Sequence, residues 1–231
     1  MHAFLRFGAL GILVAALAGA GSPASARRPS LAGPPMICQP FDIGDARSLP
    51  AETSSARVTK ETLALLAPGT APIVRMETIR RAVMAAEAAP RRELFSALQS
   101  RVLDAEARGA PSAEAWFDAG YYIATWEQLD TAGAPEVGVS DACTGYAWIK
   151  KAISLAKAPA EMEFAAALAV HPAMHKGTHE AYQAHLARAA AGAAPGSAYE
   201  KNIRNHCTNW RESYDDLKQK GKDARDPGAK R

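Results

Sequence analysis

The sequence predicts an all-α fold: antiparallel helix pairs forming a short α-solenoid or repeat-like bundle, with an extended N-terminal strap. Three observations predict it. Ala-Pro recurs at 71–72, 89–90, 110–111, 134–135, 158–159 and 194–195. The segments between these dipeptides are Ala-rich, with apolar residues at helical spacing. Runs of β-branched residues are almost absent. The residue before a proline is pushed out of the α region, while proline itself fits the first helical turn. Each Ala-Pro therefore closes one helix and opens the next, and short joints between helices make antiparallel neighbours.

Taken in order, the chain opens with a secretory leader. Arg6 gives a positive start, Phe7 to Ala18 is an apolar run too short for a comfortable membrane span, and Ala24-Ser25-Ala26 is a small-x-small cleavage site. Cleavage after Ala26 leaves 205 residues, enough for one domain with a real core. No later stretch of 18 apolar residues occurs, so a periplasmic or secreted protein without a membrane span is expected. Residues 27–58 are expected to be extended and partly disordered. Within them ICQPFDIGDARSLP (37–50) is broken by Pro40, Gly44 and Pro50, and its alternating Phe41 and Ile43 suit a strap laid over a core. The helical domain spans 59–218, with helices near 73–88, 91–108, 112–130 and 140–157. Gly109, Gly133 and Gly192 fall at expected C-terminal caps, and Ser112 and Ser140 at N-caps. Ser197-Ala-Tyr-Glu200 is a capping box opening a last helix to about Lys218. The basic tail, 219–231, is expected to be disordered.

YAWIKKAISLAKAPAEMEFAAALAV (146–170) resembles the second helix of one tetratricopeptide repeat running into the first helix of the next. Ala147-Trp148 recurs as Ala181-Tyr182 after 34 residues, that family's period, and RAVMAAEAAP (81–90) resembles KAISLAKAP (151–159). The resemblance is best over 140–195 and looser over 73–130. The family's Trp-Leu-Gly-Tyr signature is absent. What it implies is a surface for a protein or peptide partner, with no catalysis. The chain also resembles exported helical proteins of bacteria.

Four of the six histidines lie in HPAMHKGTHEAYQAH (171–185). Residues i and i+8 on a helix are about 12 Å apart, too far to share an ion, so His171, His175 and His179 do not form a three-point site. His171-Pro172 also marks a joint rather than a helix interior. His175 and His179 suit a two-point chelate, with Glu161 or Glu163 from the preceding helix adding a carboxylate for a transition metal such as zinc. The competing reading is a half-buried polar stripe continuing into Tyr182, Leu186 and Ala189. His185 is expected to face solvent or a neighbouring loop.

WFDAGYYIATW (116–126) carries aromatics on two helical faces, which marks a central helix or one lining a groove; Tyr121 and Trp126 are the groove candidates. Gly120 allows close backbone approach. Cys38, Cys143 and Cys207 are too widely spaced for a CxxC motif; in an oxidising compartment two should pair, and Cys38 with Cys207 is the expected bridge, closing the longest loop. Cys143 sits near a helix start, but Asp141 opposes thiolate formation there, and His206-Cys207 diverge by about 100° and are no dyad. Asp42 and Asp45 are a weak cation signal. The mature net charge of +2 resides in the stretch from Lys218 to Arg231, which alone carries +4 and with export argues against nucleic acid. No nucleophile elbow, P-loop or GxGxxG occurs. The expected function is an exported binding or scaffolding module for a protein or peptide; the alternative is a helical metal-binding protein.

Overall fold

The computed structural model describes residues 33–130, 144–157 and 160–225. Among them are ten α-helices and no strand: α1 (Pro35–Cys38), α2 (Ser55–Leu65), α3 (Pro72–Ala85), α4 (Ala88–Ala107), α5 (Ala113–Leu129), α6 (Thr144–Leu155), α7 (Ala160–Ala169), α8 (His179–Gly192), α9 (Ala198–Trp210) and α10 (Tyr214–Arg225). The leader with its cleavage site, Gly133, Ser140, Cys143 and the end of the tail lie outside the described residues.

The joint at Ala71-Pro72 acts as its chemistry requires: Pro72 takes a first-turn position of α3 after an extended Ala71. At Ala89-Pro90 the break comes earlier, because α4 already begins at Ala88 and carries Pro90 within its first turn. Gly109 closes α4 at φ +66°. Ser112 then caps α5, its hydroxyl accepting the Ala115 N–H. At α9 the Ser197 hydroxyl accepts the Glu200 N–H, and the Glu200 carboxylate accepts the N–H of Gly196, one residue before the position a regular capping box uses. Two boundaries differ from expectation. The helix expected to run from 198 to 218 breaks after Trp210, where Arg211 is left-handed at φ 60° and the Glu212 N–H returns to the Cys207 carbonyl. A tenth helix then continues to Arg225, beyond Lys218 where order was expected to end.

At the centre lies α5. Every residue from Phe117 to Trp126 is buried, and α1, α3, α4, α6 and α7 all pack on it. Tyr121 and Trp126 are 0% and 1% exposed, so they are core residues and line no groove, correcting that expectation. Phe117 stacks on Tyr121, and Trp126 meets Tyr122 edge-on with the Arg91 guanidinium over its ring. The aromatic density on two faces reflects neighbours on all sides of one helix.

Ion pairs inside the core hold loops rather than a ligand. Arg75, fully buried, bonds Asp118 at 2.6 Å and Glu114 at 2.9 Å, and donates to the carbonyls of Ala67 and Thr70. Burial raises the Asp118 carboxyl to about 7 against the pull of Arg75. Glu77 on α3 accepts from Arg80, Arg81 and the Phe41 N–H, while Arg80 and Arg81 donate onward to the carbonyls of Ile37 and Leu49. The strap is thus tied down by its backbone. Its far side meets α9: Asp42 and Asn202 exchange two hydrogen bonds of 2.8 and 2.7 Å, and Lys201 pairs with Asp42. Asp42 is therefore engaged with Lys201 and with the Gly44 N–H, not held for a cation.

Cys38 and Cys207 are both free thiols, so the expected bridge is not formed. The strap and α9 do meet, but the residues in register are their neighbours, Gln39 and His206, 3.4 Å apart. Cys207 follows His206 by about 100° around the helix and turns into the core.

Candidate functional site

The site is built at the joint between α7 and α8. Helix α7 is buried from Met162 to Ala169 and is apolar beyond the two glutamates of its first turn, Glu161 and Glu163. Pro172 prevents its continuation, and the chain crosses 172–177 as turns, with Gly177 at φ +80°. The Thr178 hydroxyl, 2.7 Å from the carbonyls of both Val170 and His175, closes the joint before α8 begins at His179. His171 is therefore a joint residue, as its Pro172 neighbour implied, and it is only 3% exposed.

Around it gather residues from three other segments. The Trp210 ring centroid, at the end of α9, is 4.0 Å from that of His171; Tyr182 of α8 is at 4.8 Å and His206 of α9 at 5.6 Å. His206 is held from both sides, by the Tyr182 hydroxyl 3.0 Å from Nε2 and by Gln39 of the strap near Nδ1. The Gln39 carbonyl oxygen requires a proton on Nδ1, so Nε2 accepts from Tyr182. The His171 Nδ1 accepts the Ala173 N–H at 3.2 Å, which places its proton on Nε2. Burial lowers His171 to about 4 and His206 to about 3, the neighbouring imidazole adding to the second shift. Both rings are neutral near pH 7.

In front of this cluster lies a cleft of about 330 Å³, lined by His171, Pro172, Ala173, His179, Tyr182, Trp210 and Glu212. Its wall is aromatic. Its one carboxylate, Glu212, stands just past the left-handed turn that ends α9, with Oε1 accepting from Gln183 Nε2 at 2.9 Å. A second groove shares His179 and runs between α8 and α10 past Arg188 and Lys220.

The residues of the metal alternative are not brought together. His175 lies in the turn, where burial lowers its pKa, and His179 is an exposed first residue of α8. Glu161 accepts the Ile73 N–H at 2.9 Å, and burial raises its pKa against that bond. Glu163 faces elsewhere, 2.5 Å from His185 Nδ1 and 2.9 Å from Arg188 Nε. Among the described residues no group of three His, Cys, Asp or Glu is arranged to hold a metal. The helical register assumed for His175 and His179 fails because the chain from Pro172 to Gly177 runs as turns, with Gly177 at φ +80°, and α8 begins only at His179. Tyr182, Leu186 and Ala189 do form the inward stripe.

His185 corrects a second expectation, being buried rather than solvent-facing. Its Nδ1–H donates to Glu163, and Nε2 accepts the Tyr146 hydroxyl at 2.7 Å. Burial alone would raise the Glu163 carboxyl, but His185 and Arg188 hold it below its ordinary value. This carboxylate–imidazole–phenol chain crosses α6, α7 and α8.

Sequence reasoning missed His206, Trp210 and Glu212 as members of one site. Trp210-Arg-Glu212 lies 35 residues or more from His171 and carries no spacing signal. Only the packing of α9 against the joint joins them. Comparison of the chain with known protein families, with curated proteins and with solved structures finds no match.

Proposed function

We propose that the chain is an exported, helical binding module that holds one projecting group of a protein or peptide partner in the cleft at His171. The packing of α5 on α6 and of α7 on α8 supports a scaffold of the helical-hairpin repeat kind, with α8 packed as extensively on α10. The leader and the cleavage site after Ala26 support export to the periplasm or medium. The observation that carries the binding reading is the cleft itself. Its volume of about 330 Å³ matches one small ligand or side chain, since pockets for small molecules begin near 300 Å³. Its wall is pre-organised, because Tyr182 and His206 lock each other and the strap fixes His206 from behind. Rigid aromatic walls lower the ordering cost of binding.

The test is a fragment screen by NMR on mature protein, with small cationic, anionic, neutral aromatic and aliphatic fragments. Binding should shift resonances of His171, His179, Tyr182 and Trp210 together, and Trp210→Ala should abolish it. Hits scattered over the surface, or unaffected by Trp210→Ala, would refute the reading. For export, the chain expressed with its leader in a bacterium should yield a mature N-terminus at Arg27; retention of residues 1–26 on exported protein would overturn that part.

A further inference from the structure

The cleft's charge pattern points to the chemistry of its ligand. Of the seven residues that line it, Glu212 is the acid, and no Lys or Arg is among them. Among the described residues Glu212 has no ion pair; its one side-chain partner is the neutral amide of Gln183. Its negative charge is therefore uncompensated. The field is felt nearby: burial raises the Tyr182 hydroxyl and the Cys207 thiol, the latter to about 12, and Glu212 adds to both shifts. Trp210 and Tyr182 line the same cleft as this carboxylate, and the π-faces of such rings carry negative potential that attracts a cation and repels an anion. The two buried imidazoles hold no charge near pH 7 that would oppose a cation.

From this arrangement we infer that the cleft binds an organic cation, an alkylammonium group seated against Trp210 and Tyr182 with Glu212 as its counter-charge. The inference rests on the reading of the cleft as a binding site. A basic side chain of a partner and a free small amine present the same group. A strongly hydrated metal ion does not fit, because the wall supplies ring faces and one carboxylate instead of a set of converging donors. An anion is disfavoured by Glu212; the neighbouring groove carries both signs, with Arg188 and Lys220 beside Glu180.

The experiment uses full-length mature protein and a matched pair of probes. Choline and 3,3-dimethylbutan-1-ol have nearly the same shape and differ in the charge on one atom. Titration is followed by tryptophan fluorescence and calorimetry at low salt. Choline should bind at least tenfold more tightly than the neutral alcohol. Glu212→Gln should remove most of that preference while leaving the alcohol's affinity unchanged, and circular dichroism should show the variant as helical as the wild type. A further arm, N-acetyl-lysine methylamide against choline, distinguishes the sources: tighter binding of the lysine compound assigns the group to a partner's side chain, and tighter binding of choline to a free amine. Equal or better binding of the neutral alcohol would overturn the cation inference and leave the binding site standing. Absence of binding by both probes, in folded protein, would overturn the inference and count against the cleft as a site. Retention of the full choline preference in Glu212→Gln would also overturn it, since the counter-charge would then lie elsewhere.

Discussion

His171 and His206 sit ring to ring inside a helical core, and their burial has a measurable consequence. Their folded-state pKa values, about 4 and about 3, lie below the ordinary 6.5. As pH falls below 6.5 the unfolded chain takes up two protons that the folded chain refuses. Stability then drops by about 1.4 kcal/mol per pH unit for each histidine. Asp118 acts in the opposite direction: its carboxyl, raised by burial to about 7, holds a proton in the folded chain that the unfolded chain lacks down to 3.8. One carboxyl offsets one histidine, leaving a net loss of about 2 kcal/mol between pH 6.5 and pH 5. Urea midpoints at the two pH values should show it. His206→Phe, by removing one of the two opposing slopes, should make stability nearly flat over that range. A flat profile in the wild type would show that the imidazoles are not held neutral by the fold. At this scale the sequence was partly readable. Pro172 identified His171 as a joint residue, and helical spacing identified Tyr182 as inward. The burial of His185 was not readable, because a histidine beside a charged Arg188 looks like a solvent position until Glu163 is brought across from α7.

Between elements, α5 and α6 approach backbone to backbone, and two glycines make this possible. A Cβ at Gly120 would meet the Ile149 amide nitrogen at 2.8 Å, and one at Gly145 would meet the Gly120 carbonyl oxygen at 2.6 Å and press on the Ala124 backbone. Backbone cannot rotate away as a side chain can. Alanine favours the helix by about 1 kcal/mol over glycine, but forced overpacking costs about 1–3 kcal/mol. Gly145→Ala should therefore destabilise the protein despite its better propensity, and thermal melts should show a lower Tm. A raised Tm would mean that the helices separate without loss. The end of α9 offers the opposite change. Arg211 stands at φ 60°, a conformation that costs a non-glycine residue about 1–2 kcal/mol. Arg211→Gly should stabilise the fold by about 1 kcal/mol after the entropy of a freer unfolded chain is counted. An unchanged or lowered urea midpoint would show that the Arg211 side chain contributes contacts that offset its strain. The same residue explains why the boundary between α9 and α10 was missed. Pro72 and Gly109 marked the helix ends that they occupy, and Gly120 advertised its close approach. Here an arginine does the work expected of a glycine, and the pattern runs on past it.

Across the whole molecule, the strap joins α3 to α9. Its extended character was legible from Pro40, Gly44 and Pro50; what holds it was not, because a bond from a carboxylate to a backbone N–H leaves no trace in residue pattern. On one side Glu77, fully buried, collects Arg80, Arg81 and the Phe41 N–H, and the two arginines reach the carbonyls of Ile37 and Leu49. On the other side Asn202 of α9 exchanges hydrogen bonds with the Asp42 backbone, and Gln39 touches His206 behind the cleft. Glu77 is thus the first fixed point of a path that leads through the strap to the wall of the cleft. Burial opposes its ionisation, yet the two arginines and the Phe41 N–H hold its pKa below the ordinary value, so it is charged near neutral pH. Removing one member of a buried pair strands the other, at a cost of about 3–5 kcal/mol. Glu77→Ala should cost this much in urea unfolding at pH 7 and should expose residues 39–50 to limited proteolysis before the helices open. Asn202→Ala keeps the ion cluster and loses the strap's grip on α9. It should cost only about 1–2 kcal/mol and free the same segment locally, because three neutral hydrogen bonds are lost, two to the strap and one to the Ala198 carbonyl, and no charge is stranded. If cleavage in both variants begins within the helices instead, the strap is a passenger on the core; if it begins at 39–50, the strap is the element that ties α3 to α9 and steadies His206 from behind.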